Sequence, residues 1–220
     1  MNERARSSER FLWVGLGLTL AVVFLGLLLG VLRLRMSQAR AQALPVYGQV
    51  SDFVLTNQNG QAVSLSNLLG RVWVADIVFT RCAGPCPRMT QKMARIQEAL
   101  GPDNDIRLVT LTTDPDFDTP EVLRAYAQRF GADTHRWMFL TGTKAQIARL
   151  AIDSLKLTAV EKRPEDRESP EDLFIHSTIF VVVDRQGRLR GIFETEGEGI
   201  DSQAVTQQVV AAARRLERER

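Results

Sequence analysis

Two residue types that carry much of protein chemistry are scarce in this 220-residue chain: it has 2 cysteines and 2 histidines. Any disulfide within one chain must therefore join Cys82 to Cys86, and any imidazole chemistry must use His135 or His176. An excess of one charge is missing too. The 28 lysines and arginines are interspersed with 26 aspartates and glutamates, for a net +2. No clustered basic stripe marks a nucleic-acid interface. No internal repeat is present, which sets aside the solenoid architectures.

A further absence is local. Residues 11–32 (FLWVGLGLTLAVVFLGLLLGVL) contain no charge. At 1.5 Å per helical residue such a run covers roughly 30 Å, the thickness of a bilayer's hydrocarbon core. A cleavable signal peptide has a shorter apolar region and a small-residue cleavage site close behind it. Ala41-Gln42-Ala43 resembles such a site but lies well past the run. The pattern predicts a tail over 1–10, an uncleaved transmembrane anchor over 11–32, a linker over 33–47 and a folded domain over 48–220. The flanks do not orient the anchor: Arg4, Arg6 and Arg10 precede it and Arg33, Arg35 and Arg40 follow it, a tie under the positive-inside rule.

From Gly48 onward, strand and helix patterns alternate. Phe53–Thr56 and Ala62–Leu65 read as a hairpin around Asn59-Gly60, a strong turn signal. Val72–Phe79 is a nearly continuous apolar run, as in a strand buried on both faces. A helix follows Cys86, with Met89, Met93, Ile96 and Leu100 on one face and Gly101-Pro102 as its stop. Ile106–Thr112 reads as a strand. Thr119 caps a helix with Pro120 at its first position, and Leu123, Tyr126, Ala127 and Phe130 form its stripe. A strand over Trp137–Leu140, a short helix over Thr143–Ile152 and a charged loop over 161–172 come next. Strands over Thr178–Val183 and Leu189–Phe193 then flank a turn, and a last helix begins near Asp201. This order predicts an α/β fold with a central mixed sheet flanked by helices. A buried strand running into a cysteine-bearing loop and then a helix is the thioredoxin-like arrangement.

Cys82 and Cys86 frame Cys-Ala-Gly-Pro-Cys-Pro at the predicted start of a helix. Unpaired N–H groups and the dipole favour thiolate there, and Arg81 and Arg88 stand next to the pair. Thiolate is the form that attacks disulfides and binds metals. Three intervening residues still allow the ring to close as a disulfide, or two sulfurs to address one soft metal ion. A disulfide across so short a loop adds little stability, which argues for chemistry over structure. His135 lies in a polar loop and reads as a surface residue. His176 stands just before the strand over Thr178–Val183, where thioredoxin-type oxidoreductases place a cis-proline; here no proline lies between Pro170 and that strand. Two thiolates and one imidazole suit copper in both oxidation states, whereas zinc usually takes a fourth ligand.

Together these blocks resemble the SCO/SenC family of copper-handling assembly factors. The match rests on Val78–Pro87, on Thr112–Leu123 with its Asp-Pro and Asp-Thr-Pro pairs, and on His176-Ser177 followed by an apolar strand and Asp184…Gly187. The resemblance implies a thioredoxin-like fold and Cys82, Cys86 and His176 as copper ligands. It also implies a role in building the binuclear copper site of cytochrome c oxidase, with subunit II of that enzyme as partner and other periplasmic copper chaperones and thiol-disulfide oxidoreductases as further partners. A single anchor with the domain on the periplasmic side is implied as well. Glu3 and Glu9 are unlike a mitochondrial presequence, so the expected setting is a bacterial inner membrane. Many family members carry Asp before the ligand histidine, where Ile175 stands here. Asp114 and Asp118 read as turn and cap residues. The rival functions are a thiol-disulfide oxidoreductase, in which Cys82 attacks and Cys86 resolves, and a copper or redox sensor.

Overall fold

In the computed structural model the described residues are 24–31, 33, 44–166, 174–176 and 178–219. Residues 24–31 are helical and exposed. The rest of the expected anchor lies outside the described residues, and among those described no helix is long and apolar enough to cross a membrane. A separate compact unit begins at Leu44.

Among the described residues of this unit, eight strands form one sheet. In chain order they are β1 (Gly48–Gln49), β2 (Val54–Asn57), β3 (Ala62–Ser64), β4 (Trp73–Val78), β5 (Arg107–Thr112), β6 (Trp137–Thr141), β9 (Ile179–Val183) and β10 (Arg188–Glu194). Their order across the sheet is β1-β10-β9-β4-β5-β6-β2-β3. β4, β5 and β6 run parallel, and the outer pairings are antiparallel. β7 (Ala159–Glu161) and β8 (Phe174–His176) form a separate two-stranded ribbon.

The strand alternation sorts the core. Val74, Val78, Leu108, Phe180 and Val182 face helices α2 (Pro85–Leu100), α3 (Pro120–Arg129) and α5 (Ser202–Arg218). Trp73, Ala75, Ile77, Val109 and Val181 face α1 (Leu65–Leu68) and α4 (Lys144–Ala148). Met89, Met93 and Ile96 recur at helical spacing and are fully buried, each contributing about 1.5–3 kcal/mol of transfer free energy. The hairpin turns at Gly60, whose φ of +75° only glycine adopts cheaply. Thr119 caps α3 by accepting from Val122 N–H at 3.4 Å. The helix expected over 143–152 is α-helical to Ala148 and then widens to a π-helical stretch over Arg149–Ser154.

One side chain organises the sheet edge. Arg190 is 4% exposed and donates to Asp184 Oδ2 at 2.8 Å, to Leu44 O at 2.8 Å and to Glu219 Oε2 at 3.2 Å. Arg188 adds a second guanidinium to Asp184 at 2.7 Å. Asp184 is buried, and burial disfavours its charge, but these donors hold it below the usual carboxylate range.

Candidate functional site

Parallel β4 and β5 end side by side, and the chain leaves β4 through Phe79 and Thr80 into the cysteine loop. Gly84 caps α2 and Pro85 takes its first position, where a missing N–H costs nothing. Cys86 is therefore the second residue of the helix, fully buried, while Cys82 sits in the preceding turn at 9% exposure. Both are thiols rather than a disulfide. Cys86 Sγ accepts the Phe79 N–H at 3.4 Å, Cys82 Sγ accepts the Gly84 N–H at 3.3 Å, and the two sulfurs are in hydrogen-bond contact.

The electrostatics differ from the sequence expectation. Burial pushes the Cys86 thiol far above its ordinary pKa, and the hydrogen bond and charge of Cys82 push the same way. The donated Phe79 N–H opposes this and loses. Desolvation of a buried charge outweighs the field of a helix terminus. Each flanking arginine is engaged with a carboxylate. Arg81 Nε lies 2.7 Å from Asp114 Oδ2, with its guanidinium 4.6 Å from the centre of the exposed Phe117 ring. Arg88 makes a two-pronged pair with Glu196, 3.0 Å on each prong, which holds Glu196 below its ordinary range.

Asp118 is more than a turn residue. It is fully buried and accepts the Thr80 N–H at 3.2 Å and the hydroxyls of Thr80 and Thr112. Burial pushes its pKa up, against the pull of those donors. Asp114 and Asp118 thus brace the start of the cysteine loop against the end of β5. A second buried polar chain lies in the sheet itself: Trp137 Nε1 donates to Thr110 Oγ1 at 2.9 Å, which donates to Asp76 Oδ1 at 2.7 Å. Asp76 is the one ionisable residue inside the otherwise apolar run Val72–Phe79. A sequence signal for the brace does exist in retrospect: Thr80 and Thr112 are small polar residues at the ends of two otherwise apolar strands.

His176 is the last residue of β8, opposite Ala159 of β7. The antiparallel register of β9 on β4 (Val183 opposite Trp73, Val181 opposite Ala75) sets the start of β9 beside the end of β4. The backbone of His176 therefore approaches the end of the sheet that carries the cysteines. Its side chain, and so the expected imidazole ligand, lies outside the described residues. Among the described side chains no group of three His, Cys, Asp or Glu is gathered to hold an ion. His135 is exposed, and its N–H donates to Asp133 Oδ1 at 3.1 Å. It precedes β6 at the opposite end of the parallel strands, in keeping with a surface position.

Residues 42–213 match the SCO1/SenC family. A SCO1 protein homolog from Bacillus subtilis is 37% identical over 147 residues, covering 66% of this chain and 73% of its own length. The solved structure of BsSco, a member of the Sco family of cytochrome c oxidase assembly proteins with a disulfide switch, is 30% identical; it superposes with a TM-score of 0.63 over 78% of this chain and 98% of that one. ScoI of Bradyrhizobium japonicum, solved with copper bound, shares 24% identity and a TM-score of 0.63 over 77% of this chain and 99% of its own. That likeness speaks to the fold, which is thioredoxin-like.

Proposed function

This chain belongs to the SCO1/SenC family, and on that premise we propose that it is a copper metallochaperone for cytochrome c oxidase assembly. Cys82, Cys86 and His176 hold one copper ion as cargo and release it to the binuclear copper site in subunit II. The observation that carries the reading is the hydrogen bond between two buried thiols at the end of the central strand; β9, which begins three residues after His176, starts beside that same end. Two thiols within hydrogen-bond reach of each other can address one ion, and thiolate is the ligand that suits Cu(I). Adding an imidazole gives the nitrogen donor that Cu(II) favours. Binding releases the thiol protons, and the ion's charge offsets the burial that keeps Cys86 protonated in its absence.

The same contact supports a second reaction. Cys82, the more accessible sulfur, attacks a partner disulfide as thiolate and forms a mixed disulfide, expelling one partner thiolate. Cys86 then displaces the other, leaving a Cys82–Cys86 disulfide and two partner thiols. A client site made of cysteines needs that reduction before it takes copper. Other periplasmic copper chaperones and thiol-disulfide oxidoreductases are the fitting upstream partners. The uncharged run over 11–32 supports a single-pass anchor in a bacterial inner membrane, with the domain on the periplasmic side, where a thiol pair that cycles through disulfide is at home.

The test compares wild type, Cys82→Ser/Cys86→Ser and His176→Ala in Cu(I) affinity, Cu(II) affinity and reduction potential. Loss of both cysteines should abolish tight binding. His176→Ala should weaken Cu(II) far more than Cu(I) and leave disulfide formation nearly intact. A change of potential with both copper affinities unchanged would overturn the ligand role of His176.

A further inference from the structure

We propose that Thr195 is a positioning residue for His176, tying the strand that follows the histidine to the helix that carries Cys86. The inference rests on the copper reading above. Its first observation is topological. β7 and β8 form a ribbon of their own, and among the described residues no ladder pair joins His176 to the sheet that carries the cysteine loop. Its backbone is held on one side by the pairing with Ala159 of β7 and on the other by the junction into β9 at Thr178, two residues on.

That junction is clamped. The Thr195 N–H donates to Thr178 O at 2.8 Å, and the Thr195 hydroxyl lies 2.8 Å from the same carbonyl. The hydroxyl is also 2.8 Å from Met89 Sδ, a fully buried sulfur one helical turn after Cys86. A hydroxyl has one hydrogen and two lone pairs. Its one hydrogen is shared between the Thr178 carbonyl and the Met89 thioether, both of which stand within donor reach. The next carbonyl in the chain is held from the same helix: Lys92 Nζ, buried to 8% exposure, donates to Thr195 O at 2.8 Å and lies 3.4 Å from Glu196 Oε1. Arg88 closes the clamp through its two-pronged pair with Glu196.

Met89, Lys92 and Arg88 all belong to α2, and all reach residues 195–196, of which Thr195 in turn grips Thr178. A short path of direct contacts therefore runs from the turn after Cys86 to the second residue after His176. Burying an ammonium group on a backbone carbonyl is costly unless the hydrogen bonds are good, so the Lys92–Thr195 contact is a fixed joint, while the Arg88–Glu196 pair beside it is exposed. The joint fixes the chain at Thr178, two residues past His176.

The experiment uses the full-length protein and the variants Thr195→Val, Thr195→Ser, Lys92→Met and His176→Ala. Thr195→Val keeps the β-branched shape and removes the hydroxyl. It should weaken Cu(II) about tenfold, the low end for loss of a group supporting a metal ligand. It should also shift the sulfur-to-Cu(II) charge-transfer band, and leave Cu(I) affinity and the Cys82–Cys86 potential where they were. Thr195→Ser should restore the wild-type spectrum, and Lys92→Met should move in the same direction as Thr195→Val. Wild-type Cu(II) affinity and spectrum in both Thr195→Val and Lys92→Met, with His176→Ala impaired, would overturn the positioning role and leave the copper reading standing. Equal losses of Cu(I) and Cu(II) that track melting temperature would reduce Thr195 to a structural residue. If His176→Ala itself binds Cu(II) like wild type, both readings fall together.

Discussion

Replacing Asp118 with alanine is the sharpest test of how the cysteine loop is held. The carboxylate is fully buried and takes three hydrogen bonds, from the Thr80 N–H and from the hydroxyls of Thr80 and Thr112. Its removal strands those donors. Thr112 is fully buried and cannot turn to water, while Thr80 is half-buried and recovers part of its loss. At about 1–3 kcal/mol per stranded buried group, discounted for Thr80, the expected cost is about 3 kcal/mol. For a domain of this size that lowers the melting temperature by roughly 6–12 °C. Asp118→Asn keeps the volume but offers one acceptor oxygen in place of two, and should lose about half as much. The sign of the pH effect follows from burial, which sets the folded-state pKa above the unfolded one. Between those two values the folded protein holds more protons, so Asp118 costs stability as pH rises through that window. Asp118→Asn should flatten that slope. Urea unfolding across pH 3 to 8, in the range where linkage to carboxyl groups is read, measures both. Because Thr80 lies two residues from Cys82, Asp118→Ala should also speed alkylation of Cys86. A stability within experimental scatter of wild type and unchanged alkylation would refute the brace.

Asp184→Asn leaves the buried Arg190 short of its closest charge partner, and loss of one member of such a pair costs about 3–5 kcal/mol. Asp184 has a folded-state pKa below its unfolded value, so its contribution is present above the unfolded pKa and lost as pH falls through the folded one; acid titration of wild type against this variant checks the sign. In the reduced protein, limited alkylation near pH 8 followed by peptide mass mapping should mark Cys82 before Cys86, since Cys86 is fully buried and its thiol pKa is raised by that burial. Met93→Ala, at the centre of the α2 stripe, should cost about 2–5 kcal/mol in a denaturation series.

Local pattern carried much of the fold. The Asn59-Gly60 hairpin, the buried strand before Cys82, the Met89–Met93–Ile96 stripe and the Thr119-Pro120 cap are each set by a few neighbouring residues, and each is where the pattern puts it. Long-range electrostatics were not legible. Arg88 stands beside the cysteines in sequence, yet its charge is taken up by Glu196, 108 positions away. Asp118 meets Thr80 across 38 positions. No periodicity encodes such pairs, because they arise only when β4 and β5 lie parallel and β10 returns beside β9. The ribbon of β7 and β8 was hidden for another reason. It borders a stretch so rich in charge and proline that propensity alone reads it as loop.

The guanidinium of Arg190 meets the carbonyl of Leu44 and the carboxylate of Glu219. The first and last described turns of the compact unit are therefore neighbours in space. A domain whose ends meet in this way behaves like a plug-in cassette. A linker of a few residues should join Leu44 to Glu219, new ends should be tolerated at an exposed turn such as Gly60, and the unit should accept insertion into a loop of a host protein with little distortion of either. The cysteine loop, reached through β4 at the middle of the sheet, would not register the rewiring.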